Sequence, residues 1–207
     1  MSQHIEAIFV DVGGVLGTNG WGRESRRAAA ETFGLDLSEM DQRHHLTFDA
    51  YESGKLSLEG YLDRIVFYEP RSFSKAQFTE FMLGRSQPYP DMIQFITKLK
   101  EKYHFRVVAI SNEGRELTLH RVASFGLKKF VDAYIFSCFV HFRKPDTDIF
   151  QLALDVSLVS PDRIIYIDDR AMFVETAQTM GIRGIVHDRK NLAATVHKMA
   201  EFGLTLT

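Results

Sequence analysis

The stretch AIFVDVGGVLG, residues 7–17, decides the fold. Four apolar residues run up to one carboxylate, Asp11, and the chain then passes through Val12 to Gly13 and Gly14. An apolar run without polar alternation reads as a strand buried on both faces, which is the habit of central parallel strands. Asp11 would then stand at the carboxyl tip of a buried strand, with Gly14 free to turn the chain away because glycine tolerates positive φ.

Four other runs resemble the first: RVVAIS (106–111), AYIFS (133–137), IIYID (164–168) and GIRGIVH (181–187). Helical patterns lie between them. Met92, Phe95, Ile96, Leu99 and Tyr103 form one stripe, and Ile149, Leu152, Ala153 and Val156 form another after a Pro145-Asp146 start. Strands alternating with helices predict an α/β fold, a doubly wound, Rossmann-like parallel sheet, whose sites lie at the carboxyl ends of the strands.

Residues 18–88 read differently, with helix starts and stops and no convincing strand. SEMD (38–41) and SLEG (57–60) each open on a serine suited to N-capping, and Gly34, Gly54 and Gly84 sit where helices end. Tyr61, Leu62, Ile65 and Tyr68 make an apolar stripe, as do Phe78, Phe81 and Met82. The expectation is a core formed by residues 1–17 and 89–207, with a small helical subdomain, 18–88, inserted between the first two strands.

Composition narrows the function classes. The 207 residues are 45% hydrophobic and 25% charged, with a net charge of −2, which offers no basic surface for nucleic acid. No apolar run reaches the ~20 residues of a membrane span, and MSQHIEAIF lacks the pattern of a secretory signal. The single cysteine, Cys138 in YIFSCFV, has no internal disulfide partner and reads as a packed apolar residue; a cytoplasmic setting is the expectation.

The strand tips are polar. The first ends in Asp11, the second in Ser111-Asn112, and the fourth in Asp168-Asp169, while Arg143-Lys144-Pro145 follows the third. Each has an ordinary explanation alone: a turn aspartate, a helix cap, a surface lysine, a loop pair. Their recurrence on one edge of one sheet is what points to a site.

Taken in order, DVGGV, ISN, RKP and YIDD resemble the four motifs of the haloacid dehalogenase-like (HAD) hydrolase superfamily, and the stretch after the first motif resembles its four-helix cap. The resemblance covers almost the whole chain. It implies that Asp11 is a nucleophile forming an aspartyl-phosphate, that Lys144 neutralises it, and that the Ser111 hydroxyl and the Asn112 backbone N–H hold the phosphoryl group. It implies Mg²⁺ held by Asp11, the Gly13 carbonyl and Asp169, with Asp168 in support. The substrate would be a small phosphomonoester, with sugar phosphates among the candidates; the assembly would be a monomer or homodimer.

Two positions depart from that pattern. Most family phosphatases carry a second aspartate where this chain has Gly13, and that acid protonates the leaving alcohol and then activates water, help worth ~10²–10⁴-fold. Sequences reading Asp-x-Gly form a branch of the superfamily that includes sugar-phosphate phosphatases. Substrates that leave with less help, such as aryl or sugar-1-phosphates, should therefore be favoured. Phe173 stands where another polar residue often supports the metal's water shell. Glu113, Arg170 and His141 are nearby polar residues that could compensate, although each reads first as a solvated or structural residue.

In the segment GTNGWGRES (17–25), Trp21 and Arg23 are placed to close over a substrate, or in Trp21's case to pack the cap on the core. His44 and His45 read as surface residues of a cap helix, and no His/Cys cluster suggests zinc. Two alternatives stand beside the phosphatase: a 2-haloacid dehalogenase using Asp11 against carbon, and a non-catalytic module that binds phosphate or a partner. A receiver-type phosphoacceptor fits less well, because its acid pair would close the first strand.

Overall fold

Five parallel strands, Ala7–Val10 (β1), Arg106–Ser111 (β2), Ala133–Phe136 (β3), Ile164–Asp168 (β4) and Arg183–Val186 (β5), form one sheet in the order β3-β2-β1-β4-β5. The computed structural model describes residues 4–206. Strand β1 lies at the centre, and the chain steps from it to β2 and β3 on one side before returning to β4 and β5 on the other. The reversal point of such a sheet, here between β1 and β4, is where α/β folds open a crevice beyond the strand ends.

The apolar runs explain the layers. All four residues of β1 are fully buried, and successive side chains point to opposite faces. Ile8 and Val10 join a cluster with Met92, Ile96 and Leu99 of Pro90–Tyr103 (α5). Ala7 and Phe9 join another with Ile149 and Phe150 of Thr147–Ser157 (α8) and Val174 and Ala177 of Ala171–Thr179 (α9). A strand covered on both sides has no use for alternation. The stripe on α8 is shifted from the predicted one: Ile149, Phe150, Ala153 and Ser157 face inward, whereas Val156 is exposed. The i, i+4 row of 149, 153 and 157 carries the contact, and Phe150 fills its flank.

Four helices, Arg23–Phe33 (α1), Leu37–Glu52 (α2), Leu58–Ile65 (α3) and Lys75–Gly84 (α4), lie between β1 and α5. They enclose a cluster of their own that includes Trp21, Ala29, Met40, Tyr61, Phe78 and Met82. The caps are local chemistry. Ser57 caps α3 as expected, and Ser74 forms a reciprocal capping box with Gln77 on α4. Helix α2 is capped by Asp36, which accepts from the N–H groups of Ser38 and Glu39, so Ser38 is already inside the helix rather than its cap. Tyr68 lies past the end of α3 and is partly exposed, with the Arg43 guanidinium 3.6 Å from its ring centroid, so it is not part of the buried stripe.

The segments entering and leaving these helices run side by side: Thr18 N–H donates to the Gln87 carbonyl (2.9 Å) and Tyr89 N–H to the Leu16 carbonyl (2.8 Å). The remaining helices are Arg115–Ser124 (α6), the single turn Ser137–Val140 (α7) and Leu192–Glu201 (α10). Cys138 starts that turn fully buried, and burial pushes its thiol up, which is the environment of a packed residue and not of a reactive thiolate. Among the described residues, no helix is long and apolar enough to cross a membrane.

Candidate active site

Strand register brings the polar tips together. Val10 pairs with Ile167 of β4 and with Ala109 of β2, so Asp11 continues the strand alongside Asp168 and just short of Ser111. The Asp11 N–H still donates to the Ile167 carbonyl (2.9 Å), which fixes the backbone of the carboxylate to the sheet. Lys144 reaches in from the loop after α7. Its Nζ lies 3.0 Å from Asp11 Oδ1 and 2.6 Å from Asp168 Oδ2, and donates to the Ile110 carbonyl (3.0 Å). The ammonium thus hydrogen-bonds Asp168 and the Ile110 carbonyl and faces Asp11 Oδ1 as an ion pair, leaving that oxygen without a hydrogen-bond partner.

A buried lysine is expensive unless paired. Burial alone would lower its affinity for a proton, but Asp11 and Asp168 outweigh it and hold the ammonium above its ordinary range. Asp11 shows the opposite balance: burial pushes it up, and despite the pull of Lys144 and a Ser111 hydrogen bond it stands at about 7, with the Asp168 charge adding to the rise. Asp168 is fully occupied, since besides Lys144 it accepts from the Tyr166 hydroxyl and from the Arg170 N–H (2.9 Å). Burial, then the neighbouring Asp168, keeps Tyr166 protonated as that donor.

Asn112 behaves differently from a simple phosphate ligand. Its side chain clamps the backbone of Lys144 from both sides, donating to the Lys144 carbonyl (2.8 Å) and accepting from the Lys144 N–H (2.9 Å). Helix α6 begins only at Arg115, so Asn112 precedes its first turn by three residues.

Oxygen atoms of Asp11, Asp168 and Asp169 lie within 4.8 Å of one another. Asp169 Oδ2 accepts from Asn19 Nδ2 (3.0 Å), while Oδ1 is buried with no hydrogen-bond partner. An orphaned carboxylate oxygen next to the Asp11 carboxylate fits a hard divalent cation such as Mg²⁺, which takes oxygen ligands and keeps several waters. Gly14, at φ 82°, lies against this acid so closely that a Cβ would stand 2.1 Å from Asp169 Oδ2. Phe173, in place of a further polar residue, presents its ring 5.1 Å from Lys144 Nζ.

Asn19 and Arg121 border the position of the missing acid. A Cβ on Gly13 would meet Asn19 Oδ1 at 3.3 Å and Arg121 Nη1 at 3.4 Å. Arg121 is almost fully buried, ion-paired with Glu113, bonded to Ser86 Oγ (2.6 Å) and donating to the Thr18 carbonyl. Sequence reasoning passed over Arg121 and Asn19, because an arginine in a helical stretch and an asparagine in a loop carry no signal by themselves.

A cavity of ≈ 280 Å³ opens over these tips, and Asp11, Gly13, Ser111, Glu113 and Lys144 share its wall with Trp21, His44 and Tyr61. His44 is not the surface residue its sequence context suggested. Trp21 Nε1 donates to Tyr61 Oη (2.9 Å), and His44 Nδ1 lies 2.7 Å from the same oxygen. Burial, helped by the Arg26 and His45 charges, depresses His44 to about 3, so the ring is neutral. With burial keeping Tyr61 protonated, Tyr61 accepts from Trp21 and donates to His44 Nδ1, which places the His44 proton on Nε2. Trp21 therefore both packs among the helices and lines the cavity. Arg23 and Arg170 line it from exposed positions.

His141 is outside this group. Its Nδ1 bonds to the Ser53 carbonyl (2.7 Å), one of several links from the four helices to the sheet side. Arg143 pairs with Asp49 and Glu52 (2.6 Å each), Ser137 Oγ donates to the Glu52 carbonyl (2.7 Å), and Gly114 lies so close to Tyr51 that a Cβ would stand 1.9 Å from its ring.

Residues 5–181 match the family model described as haloacid dehalogenase-like hydrolase. A curated relative from Thermotoga maritima, named phosphorylated carbohydrates phosphatase, is 28% identical over 197 residues, covering 88% of this chain and 86% of that protein. A HAD family enzyme from Bacteroides thetaiotaomicron, solved in complex with magnesium and inorganic phosphate, has a TM-score of 0.73 and 20% identity, covering 91% of this chain and 98% of that one. A solved dehalogenase with an intermediate complex shares the fold at a TM-score of 0.67 and 16% identity, covering 92% of this chain and 88% of that one.

Proposed function

We propose that this chain, which belongs to the haloacid dehalogenase-like hydrolase family, is a magnesium-dependent phosphatase of small phosphomonoesters, phosphorylated carbohydrates among them, acting through Asp11. The observation that carries this reading is the Lys144 ammonium held between Asp11 and Asp168, with the unpartnered oxygen of Asp169 beside them. Three carboxylates against one ammonium leave an excess of negative charge that attack on a neutral carbon would not need and that a divalent cation relieves. The Thermotoga maritima relative, a phosphatase by name, and the magnesium and phosphate bound to the Bacteroides thetaiotaomicron enzyme support the same assignment.

In this reading an Asp11 carboxylate oxygen attacks phosphorus as the ester P–O bond breaks, giving an aspartyl-phosphate that water then cleaves. Lys144 screens the repulsion between the carboxylate and the incoming phosphate, and Asn112 sets its height by clamping its backbone. The Ser111 hydroxyl and the Asn112 N–H hold the phosphoryl oxygens, each such donor being worth ~10²–10³ in rate. Asp11, the Gly13 carbonyl and Asp169 would hold Mg²⁺, with Asp168 in support, and that ion supplies charge neutralisation at the phosphoryl group. The helices between β1 and α5 act as the cap over the ≈ 280 Å³ cavity.

Hydrolysis of p-nitrophenyl phosphate with and without Mg²⁺, and with Asp11→Asn, tests the proposal. The expected result is Mg²⁺-dependent release of p-nitrophenolate that falls to background in the variant. Hydrolysis indifferent to both changes, or chloride release from 2-chloropropionate in its place, would overturn it.

A further inference from the structure

We infer that Glu113 replaces the acid missing at Gly13 and acts as the general base for the water that cleaves the aspartyl-phosphate; this rests on the phosphatase reading above. Glu113 is two residues past Ser111 and only 5% exposed, yet it lines the cavity shared with Asp11 and Gly13. Its Oε1 is held by the Arg121 guanidinium and by the Ser111 hydroxyl (3.2 Å). Its Oε2 is buried and has no hydrogen-bond partner. A buried carboxylate oxygen without a donor is costly, and it persists where a proton-bearing group is meant to reach it.

Glu113 is tied through Ser111 and Arg121 to the surroundings of Asp11 and Gly13. Ser111 ends the strand next to Asp11 and shares the cavity wall with it, and its hydroxyl donates to Glu113 Oε1, so one serine separates the Glu113 carboxylate from the surroundings of the nucleophile. Arg121 Nη1 lies 3.4 Å from where a Cβ on Gly13 would stand, in contact distance of that position, and is ion-paired with Glu113. Arg121 is itself fixed by Ser86 and the Thr18 carbonyl, and the Glu113 N–H donates to Ser137 Oγ (3.0 Å), so the carboxylate is anchored at both its backbone and its Oε1.

Glu113 Oε1 is ion-paired with the Arg121 guanidinium while Oε2 is left open, and a carboxylate held in that way is arranged to accept a proton and not to donate one. The assignment is therefore to the second step. Water forms the new P–O bond, its proton passes to Glu113 Oε2, and the bond between phosphorus and Asp11 breaks to return the carboxylate. In the first step the departing alkoxide takes its proton from water, leaving hydroxide that later removes the proton from Glu113. Water and ester in, alcohol and hydrogen phosphate out, balance over the cycle.

The test is rapid-mixing kinetics of Mg²⁺-loaded protein with p-nitrophenyl phosphate, comparing wild type, Glu113→Gln and Glu113→Asp. Glu113→Gln should release about one equivalent of p-nitrophenolate per chain in a fast phase and then turn over ~10²–10⁴-fold more slowly. Acid-quenched protein should carry a phosphoryl group on Asp11, trappable by hydroxylamine as the Asp11 hydroxamate. Glu113→Asp keeps the charge that Arg121 needs and should retain a fast phase with intermediate turnover; it carries the test alone if Glu113→Gln does not fold. Slowing of both phases without accumulated phosphoenzyme, or turnover equal to wild type, would overturn the inference alone. Wild-type protein that releases no p-nitrophenolate would overturn it together with the phosphatase reading.

Discussion

Gly14→Ala separates backbone strain from disturbance of the site, provided it is paired with Gly203→Ala. The two glycines have nearly the same backbone conformation, φ 82° and 87°, so each alanine meets the same left-handed penalty of about 1–2 kcal/mol. Their surroundings differ. Nothing lies within 4 Å of a Cβ at Gly203, whereas at Gly14 it would stand 2.1 Å from Asp169 Oδ2 and 2.4 Å from Cγ. Ordinary contact requires that carboxylate to retreat by roughly 1 Å or more, which also strains its hydrogen bond from Asn19. Displacement of a positioned group by that amount costs ~10²-fold in rate. Urea denaturation should show Gly203→Ala destabilised by about 1–2 kcal/mol and Gly14→Ala by more, because the overlap with Asp169 adds to the backbone penalty, and kcat/KM for p-nitrophenyl phosphate should fall ~10²-fold in Gly14→Ala alone, with weaker dependence on Mg²⁺. Equal activity in the two variants would refute the assignment of Asp169 to the metal.

Lys144→Met leaves Asp11 and Asp168 facing each other in a buried site without their shared cation, a change worth about 3–5 kcal/mol of stability. Denaturation in the presence of EDTA should show the full loss and saturating Mg²⁺ should recover part of it; a loss below 1 kcal/mol would contradict the pairing. His44 has its folded-state proton affinity depressed from 6.5 to about 3, so the unfolded chain binds the extra proton first. Stability should therefore be complete above pH 6.5 and decline as pH falls toward 3, by no more than ~1 kcal/mol per unit given the partly exposed ring. His44→Asn, which keeps a hydrogen-bonding atom near the Nδ1 position, should flatten that decline; superimposable stability–pH curves would refute it.

The fold was legible because burial on both faces leaves a mark in one dimension. AIFV, VVAI and IIYI have no alternation to lose, and each ends at the first residue the interior does not accept as apolar. The tips were legible for the same reason, since Asp11, Ser111 and Asp168 each follow an apolar strand without a loop between. Lys144 was legible through its place after the third strand, although nothing in RKP says that its ammonium would sit between two aspartates. Element ends were harder where two residues compete for one role, as with Asp36 and Ser38 at the start of α2.

The residues that escaped share a physical reason. Arg121, Asn19 and His44 come from an ordinary helix, a loop and a helix that reads as surface, and what places them at the site is contact with other segments: Thr18 and Ser86 for Arg121, Asp169 for Asn19 and Tyr61 for His44. Arg121 reads as a solvated charge in HRVAS until α6 folds back over the Asp11 loop and buries it against Glu113. Glu113 itself is visible in SNEG, but only the pairing with Arg121 and the unpartnered Oε2 separate it from a solvated glutamate. The substitution at Gly13 is the link between the two sets. A chain that gives up the side chain at that position leaves space beside the nucleophile, and that space is bordered by a guanidinium paired with a carboxylate. A glycine there and an acid two residues past the serine of the second motif are thus one feature of the site, joined by an arginine the sequence places more than a hundred residues from Gly13.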